Sequence, residues 1–168
     1  MKKQSGFTIV ELVVVIIILG ILAATALPRF LDVADDAHAS AVAAVVGGLR
    51  SSQGMAHAEW MAEGKPATIT IGSNTVSMAT SVGYVEAADT AGACSTLFSA
   101  LLENGPRIAD ATSDTDGIDW FSSVSGSNCV FSYEGAGSAV SHAEVTMNES
   151  TGVVSCVTEG TTTVCEGT

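Results

Sequence analysis

The sequence predicts an α+β protein in which a long N-terminal helix precedes a head built around an antiparallel β-sheet. Two observations support this fold class: residues 7–27 form one nearly unbroken apolar run, and short alternating runs separated by Gly and Asn turns follow residue 67. Between these regions, apolar residues recur every three or four positions, which is typical of an amphipathic helix. A chain of 168 residues is long enough for one modest hydrophobic core.

The composition is acidic, and it excludes one large class of partners. Six Lys and Arg residues stand against 18 Asp and Glu residues, so the formal net charge is −12 and the isoelectric point lies near 4.3. Nucleic-acid binding requires clustered positive charge that neutralises phosphates, and this chain has too few cations to form such a cluster. We therefore expect no nucleic-acid partner.

The apolar run from residue 7 to residue 27 contains one charged side chain, Glu11. A helix of that length matches the hydrocarbon thickness of a bilayer, roughly 30 Å. Lys2 and Lys3 precede the run and several aspartates follow it. The positive-inside rule therefore predicts that the N-terminus is cytoplasmic and that the chain beyond Pro28 lies outside.

Three interpretations of this run are open at this point. It is a plain membrane anchor, or a secretory signal peptide cleaved after Ala26 that releases a soluble binding protein, or a segment whose function depends on Glu11. A carboxylate near the middle of a membrane-spanning helix costs about 2.5–3.5 kcal/mol on insertion scales. Such a residue is a functional candidate if a partner can be named, and otherwise it lies near the wet interface.

A cut between Gly6 and Phe7 would supply a partner for Glu11. The cut removes both lysines and creates an α-amino cation at Phe7, four residues before Glu11. A buried carboxylate and a buried ammonium are tolerated together where either alone is not. The ammonium of a neighbouring copy would serve equally well, and it would make Glu11 a registration device for packing copies side by side.

The same residues resemble a known family. The string Gly6-Phe7-Thr8-Ile9-Val10-Glu11, followed by an aliphatic run with Gly20 and Pro28, resembles the class III signal sequence of type IV pilins. The string Leu27-Pro28-Arg29-Phe30-Leu31-Asp32, followed by Asp35-Asp36-Ala37, is similar to the mannose-sensitive haemagglutinin (MSHA) pilins in particular. The resemblance is dense over residues 1–50 and weak beyond them.

The resemblance implies a structural subunit of a type IV pilus with the pilin fold, without catalysis and without a cofactor. A prepilin peptidase would cleave after Gly6 and methylate the nitrogen of Phe7, and Glu11 would neutralise that nitrogen during assembly. The implied partners are other copies of the chain in a helical homopolymer, an assembly platform protein with its ATPase, and the inner membrane before assembly. The assembled filament would lie at the cell surface and serve attachment, adhesion or motility.

The resemblance also implies an organisation in four parts: a leader peptide (1–6), a transmembrane and polymerisation helix (7–28), an amphipathic helix (29–64) and a β-rich head (65–168). In the family, the helix between the positions of Gly20 and Pro28 can lose helicity in the filament. The residue types explain why, because Gly weakens a helix by about 1 kcal/mol relative to Ala and Pro removes a backbone hydrogen bond. Gly20 and Pro28 are therefore expected helix weak points.

The predicted amphipathic helix has an apolar face and a charged face. The apolar face carries Phe30, Val33, Ala37, Ala41, Val45, Leu49, Met55 and Trp60. The opposite face carries Asp32, Asp35, Asp36, His38, Arg50 and Glu63. Gly47-Gly48 is an expected soft point, and Gly64 with Pro66 predicts the end of the helix.

The head contains one predicted helix and several predicted strands. Thr68–Ile71 and Thr75–Met78 form an expected hairpin, and Val82–Val85 is a possible third strand. A short helical pattern covers Cys94–Glu103 and ends before Gly105-Pro106. Further strands are expected at Cys129–Tyr133, Val140–Met147 and Val153–Val157.

All four cysteines lie in the exported part, where an oxidising compartment favours disulfides. The residues around Gly160-Thr161 predict a hairpin with a two-residue type II′ turn, which places Cys156 opposite Cys165 at about 4.5 Å in a non-hydrogen-bonded pair. This pairing leaves Cys94 to bond with Cys129. A metal site is not expected, because no Cys-x-x-Cys spacing occurs.

The remaining candidate sites are weak. His38, His57 and His142 are isolated in sequence and are expected at the surface, and no catalytic motif occurs. Asp114, Asp116 and Asp119 form a weak Ca²⁺ candidate, although a solvated acidic loop is the more common explanation. Pseudopilins of type II secretion systems can carry a Ca²⁺ site in the head, so such a pseudopilin is the alternative function, beside the secreted soluble protein.

Overall fold

The structure is a computed structural model that describes residues 7–87, 89–110, 117–134 and 142–159. These ranges contain helix α1 (Ile9–Ala62) and helix α2 (Ala91–Leu101). The strands are β1 (Thr68–Ile71), β2 (Asn74–Met78), β3 (Val85–Glu86), β4 (Ile108–Asp110), β5 (Trp120–Ser125), β6 (Asn128–Tyr133), β7 (His142–Asn148) and β8 (Val154–Glu159). The predicted α+β class, with a long apolar N-terminal helix followed by a β-rich head, is confirmed.

The chain divides into two compact units, residues 1–37 and residues 38–168. In the first unit, the side chains of Ile9–Leu27 are exposed on every side of α1. This segment is long and apolar enough to cross a membrane by length and composition. Because an apolar helix surface is unfavourable in water, this segment requires lipid or other protein chains around it.

In the second unit, α1 buries one face in the core of the head. The buried positions follow spacings of three and four residues: Val42, Val45, Val46, Leu49, Gln53, Ala56 and Trp60. Within this unit the predicted apolar face is wrong at Ala41 and at Met55, whose side chains are exposed, Met55 by 69%. In the first unit, the predicted face residues Val33 and Ala37 are exposed as well. The error at Met55 arises because the core position at this point of the helix is occupied by Gln53, a polar residue. A search for large apolar residues passes over Gln53 and selects Met55 instead.

Helix α1 ends just before Gly64, the glycine that predicts its end. Gly64 has a φ of +83°, and the N–H of Lys65 donates to the carbonyl of Trp60 at 2.9 Å. This is the Schellman arrangement, in which a left-handed glycine lets the chain fold back and satisfy a terminal carbonyl. The indole Nε1 of Trp60 donates to the carbonyl of Pro66 at 3.0 Å, so the turn is also fixed to the core.

Gly48 is a packing residue rather than a soft point. Helix α1 is continuous through it, and a Cβ placed there would lie 2.7 Å from Cδ2 of Leu102. One turn further along α1, the hydroxyl of Ser52 donates to the carbonyl of Leu101 at 2.7 Å. The C-terminal end of α2 therefore lies against α1 because Gly48 has no side chain.

The strands form two sheets rather than the single antiparallel sheet that the sequence predicts. The first sheet has the order β1-β2-β3, and the second has the order β4-β5-β6-β7-β8. All pairs are antiparallel except β4 with β5, which is parallel. The predicted hairpin is confirmed: Ile71 pairs with Asn74 across a two-residue loop, and Gly72 in that loop has a φ of +57°.

An aromatic cluster joins α2 to the second sheet. The ring of Phe98 on α2 lies 4.9 Å from that of Phe131 and 5.7 Å from that of Trp120, measured between centroids. Trp120 in turn lies 5.1 Å from Tyr133. Burial raises the pKa of Tyr133, and the negative charge of Asp119 raises it further. These rings form the centre of the head core.

Two histidines connect α1 to the rest of the head. The Nδ1 of His38 shares a short hydrogen bond with the hydroxyl of Tyr133, and the Nδ1 of His57 hydrogen-bonds the carbonyl of Gly83 at 2.6 Å. His57 also stacks on Tyr84 with centroids 4.7 Å apart. The expected surface position is therefore wrong for both residues, since each is half-buried. The side chain of His142 lies outside the described part.

Gln53 gives the first testable prediction. Its side chain is 2% exposed, and neither its amide nitrogen nor its amide oxygen has a hydrogen-bond partner in the described part of the chain. An unsatisfied buried amide costs about 1–3 kcal/mol. We expect Gln53→Met to raise the free energy of unfolding by about 1–2 kcal/mol, because it removes both polar atoms at similar volume.

Denaturant unfolding of the detergent-solubilised chain, followed by tryptophan fluorescence, measures this change. Both tryptophans are buried in the head, Trp60 at 4% and Trp120 at 2% exposure, so the signal reports on head unfolding. Ser51→Ala, at an exposed position of the same helix, is the control and should leave the midpoint unchanged. A Gln53→Met variant less stable than wild type would show that the amide has a partner.

Candidate functional site

The start of α1 places a carboxylate in a specific local network. Both the backbone N–H and the hydroxyl of Thr8 donate to Oε2 of Glu11, at 3.0 Å and 2.8 Å. The N–H of Glu11 donates in return to the hydroxyl oxygen of Thr8 at 3.3 Å. The network therefore satisfies two backbone donors of the first helical turn and holds one carboxylate oxygen.

This arrangement is a capping box. Thr8 is the N-cap residue, and Glu11 is the third residue of the helix, so each side chain reaches the backbone of the other. The Thr-x-x-Glu spacing is visible in the sequence, but the predictions made from it give a role to Glu11 alone. Thr8 is the member of this network that those predictions lack, and the Thr-x-x-Glu capping signature is the signal that identifies it.

The residues flanking this network are only partly described. The side chain of Phe7 is 84% exposed, and Gly6, with the rest of the leader, lies outside the described residues. The proposed cleavage after Gly6 and methylation of Phe7 therefore stay predictions. Phe7 does directly precede the N-cap, so a new amino terminus at Phe7 would be one residue from the network around Glu11.

The two expected weak points lie within a continuous helix. Helix α1 extends through Gly20 and Pro28, and a Cβ at Gly20 would meet no atom within 4 Å. Nothing in the described part of the chain therefore requires glycine at position 20 for packing. Between Gly20 and Pro28, the hydroxyl of Thr25 donates to the carbonyl of Leu22 at 3.0 Å. Hydrogen bonds from a threonine hydroxyl to a carbonyl of the preceding turn often accompany helix bending. Loss of helicity in this segment stays a prediction.

A disulfide bond joins Cys94 to Cys129, with the two Cα atoms 5.5 Å apart. This is the pairing that the sequence predicts. It connects α2 to β6, and both cysteines are fully buried. Cys156 on β8 is disulfide-bonded as well. Cys165 and the Gly160-Thr161 turn lie outside the described residues, so the pairing of Cys156 with Cys165 stays a prediction.

The weak Ca²⁺ candidate is only partly described. Asp114 and Asp116 lie outside the described residues, and Asp119 is exposed just before β5. Within the described ranges, no group of three or more His, Cys, Asp or Glu residues could hold a metal ion. The described residues of the acidic segment therefore do not support a metal site there.

A buried carboxylate, Glu149, links the two sheets of the head. Glu149 lies in the turn between β7 and β8, is 7% exposed, and accepts a hydrogen bond from the N–H of Ala87, just after β3, at 3.2 Å. The same oxygen approaches Sγ of Cys129 at 3.5 Å, but a disulfide sulfur has no proton to donate. Burial raises the pKa of Glu149, the bond from Ala87 lowers it, and the carboxylates of Glu86 and Asp89 raise it further.

The pKa of Glu149 gives a pH prediction. Because this pKa is raised above its usual value of 4.5 in the folded head, the folded state binds the proton more tightly than the unfolded state. The resulting stabilisation is complete below about pH 4.5 and is lost as the pH rises through the folded pKa. We expect Glu149→Gln to remove this loss, because the neutral amide oxygen still accepts the bond from Ala87.

Thermal unfolding of both proteins between about pH 4 and pH 7 measures the difference in slope. Glu144→Gln, on an exposed position of the neighbouring strand, is the matched control and should follow wild type. A Glu149→Gln variant with the wild-type pH dependence would contradict the prediction.

Known proteins similar to this chain include one family model, which matches the N-terminal residues, and two curated relatives, which match about a third of the chain. Residues 1–27 match the family described as the prokaryotic N-terminal methylation motif. The chain is 44% identical over 54 residues to the type IV narrow pilus major component PilA5 of Thermus thermophilus, which is 32% of this chain and 47% of that protein. It is 46% identical over 52 residues to a fimbrial protein of Moraxella nonliquefaciens, which is 31% of this chain and 34% of that protein.

The chain thus spans less than half the length of both relatives. Neither relative is named as an enzyme. No solved structure matches the chain at a significant level. The similarity therefore supports an N-terminal methylation signal and a relationship to pilus proteins, and it leaves the head to be interpreted from its own residues.

Proposed function

We propose that this chain is a structural subunit of a type IV pilus, most similar to those of the MSHA type, and that it has no catalytic activity. The observation that carries the proposal is the first part of α1: an apolar helix exposed on every side, with its one carboxylate at Glu11, inside a match to the N-terminal methylation motif. A helix of this kind is stable in lipid or in a bundle of identical helices. Both environments occur in the life of a pilin.

Charge compensation supports assembly through this helix. Cleavage after Gly6 would give Phe7 an ammonium, and methylation of that nitrogen would preserve its positive charge. In an apolar bundle a lone carboxylate is costly, whereas a carboxylate paired with an ammonium is tolerated. Glu11 can therefore favour the register that brings it to the Phe7 nitrogen of a neighbouring copy, and it opposes registers that leave it unpaired.

The remaining parts of the proposal follow from this role. The subunit would wait in the inner membrane with its head outside, in agreement with the lysines before the apolar run and the acidic residues after it. A prepilin peptidase, an assembly platform protein and an ATPase would act on it before it reaches the cell surface. The disulfide-bonded head would then form the outside of a filament for attachment, adhesion or motility.

The intact mass and N-terminal sequence of protein sheared from the cell surface test this function. The expected chain begins at methylated Phe7 and is lighter by four hydrogens than the fully reduced chain, because its four cysteines form two disulfides. A Gly6→Val variant is the control, since a bulky residue before the cut should keep the leader attached and the protein in the membrane. A surface protein that begins at Leu27 would overturn the proposal in favour of a secreted soluble protein.

A further inference from the structure

A small groove lies between the first sheet and helix α2 of the head. Its volume is about 230 Å³, which is below the roughly 300–1,000 Å³ of pockets that bind small molecules. The floor is apolar, because the buried side chains of Val76 on β2 and of Leu97 and Ala100 on α2 line it. A groove of this size accepts a single side chain rather than a whole cofactor.

The rim of the groove offers hydrogen-bond acceptors and one negative charge. It carries the carboxylate of Glu86 on β3 and the hydroxyls of Thr75, Ser77 and Thr96. The hydroxyl of Thr96 donates to the carbonyl of Gly92 at 2.8 Å, so the lone pairs of its oxygen are left to accept. No Lys, Arg or His is among the described residues that line the groove. These features fit a Lys or Arg side chain, whose stem lies on an apolar surface while its charged end meets a carboxylate.

The head itself offers one cation of this kind to a partner. Its described residues include three Lys or Arg side chains: Arg50, Lys65 and Arg107. Nε and Nη2 of Arg50 donate to the carbonyl of Val154 at 3.2 Å and 3.0 Å, and Nζ of Lys65 lies 5.3 Å from the ring centroid of Trp60. Arg107 is exposed between α2 and β4, and no hydrogen bond, ion pair or ring contact engages it within the described part of the chain.

We propose that the groove binds the Arg107 side chain of a second copy of this chain, with the guanidinium at Glu86 and the stem on the apolar floor. Because the chain has a formal net charge of −12, heads repel each other in general, and a contact between them depends on the few cations. The inference rests on the proposed function, since assembly through α1 is what brings the heads of neighbouring copies together.

The two partners of this contact lie on different patches of the head, because Arg107 is not among the residues that line the groove. A contact between two different patches is heterologous, and contacts of this kind build rings or filaments rather than closed pairs. Each head would therefore give its Arg107 to one neighbour and receive the Arg107 of another.

Charge reversal tests the contact in cells that make only the variant chain. Glu86→Arg and Arg107→Glu should each lower the yield of sheared filaments by at least about tenfold, because like charges then meet. The double variant Glu86→Arg/Arg107→Glu should return the yield to within about twofold of wild type, because the exchanged charges pair again. Glu144→Arg, at an exposed position of β7, makes the same change of charge away from the groove and should leave the yield unchanged.

A cysteine pair gives a second readout that does not depend on the yield or on the fold of the reversed variants. Glu86→Cys and Arg107→Cys in one chain should give a ladder of covalently joined subunits from sheared filaments on a non-reducing gel. The matched control Glu144→Cys/Arg107→Cys should give single subunits.

The outcomes separate this inference from the proposed function. Filaments of the cysteine pair that contain only single subunits would overturn the contact. Wild-type yield from both single reversals would overturn it too, and would leave the groove to a cationic side chain of another molecule. A wild-type chain that never appears in sheared filaments would instead overturn the proposed function.

Discussion

A Glu11→Val subunit is expected to enter the membrane normally and to form filaments at a level at least about a hundredfold below wild type. Insertion should be unaffected or improved, because the variant removes the one charge from residues 9–27. Assembly should fail because each Phe7 ammonium then enters an apolar interface without its partner. Removal of one member of a buried ion pair costs about 3–5 kcal/mol, which corresponds to roughly two to almost four orders of magnitude in an equilibrium constant.

Two fractions of the same cells measure the effect. The membrane fraction gives the amount of processed subunit by mass, and the sheared fraction gives the amount of filament. Glu11→Asp is the control, since it keeps the charge and should retain part of the yield. Wild-type filament yield from Glu11→Val, in a strain without a second subunit gene, would refute the charge-pairing argument.

Removal of the Cys94–Cys129 disulfide should destabilise the head by about 3–4 kcal/mol. The bond closes a loop with a sequence separation of 35 residues, for which the chain-entropy estimate is about 4 kcal/mol, with any native strain reducing it. Both cysteines belong to the hydrophobic core of the head, so the double variant Cys94→Ala/Cys129→Ala also loses packing. Since typical domain stability is about 5–15 kcal/mol, much of the head stability would be lost.

Denaturant unfolding of the full mature chain in detergent, followed by the fluorescence of Trp60 and Trp120, measures this loss. The double variant avoids a free thiol that could pair with the other cysteines. Ser99→Ala on the exposed face of α2 is the control for a change in the same helix. An unfolding midpoint equal to that of wild type would mean that the bond contributes nothing to the stability of the head.

The elements that the sequence predicts well are those with a strong local signal. The helix end at Gly64 and the β1–β2 hairpin depend on a glycine with positive φ, which has a clear signature in the sequence. The predicted start of α2 at Cys94 is three residues too late. Thr90 is the N-cap, because its side chain accepts a bond from the N–H of Ala93, and the helix begins at Ala91.

The elements that were not predictable from the sequence depend on non-local contacts. Strand β4 has three residues, Ile108–Asp110, which is too short for an alternation pattern, and it exists because β5 lies beside it in parallel. Strand β5 itself follows an acidic segment and contains three serines, a composition that resembles a loop. The division into two sheets therefore could not be predicted from residue patterns alone.

The residues of the candidate site also divide into those with a local signal in the sequence and those that depend on non-local contacts. Glu11 is conspicuous because a carboxylate in an apolar run is costly, and this cost is readable from the sequence. The contact of Thr8 with Glu11 requires the geometry of the first helical turn, since threonine alone is common before helices. Gln53 and Glu149 could not have been identified at all, because their burial depends on which face of α1 meets the core and on how the β7–β8 turn lies against Ala87.

If the proposed function is right and the head lies outside the cell, the Cys94–Cys129 bond affects how the subunit responds to proteases. Most of helix α2 and strands β4 and β5 lie within the covalent ring that it closes. If a protease hydrolyses any peptide bond between the two cysteines, the fragments stay joined through sulfur. The subunit would therefore stay one covalent unit after a single cleavage in this ring, and the damage would be visible only after reduction.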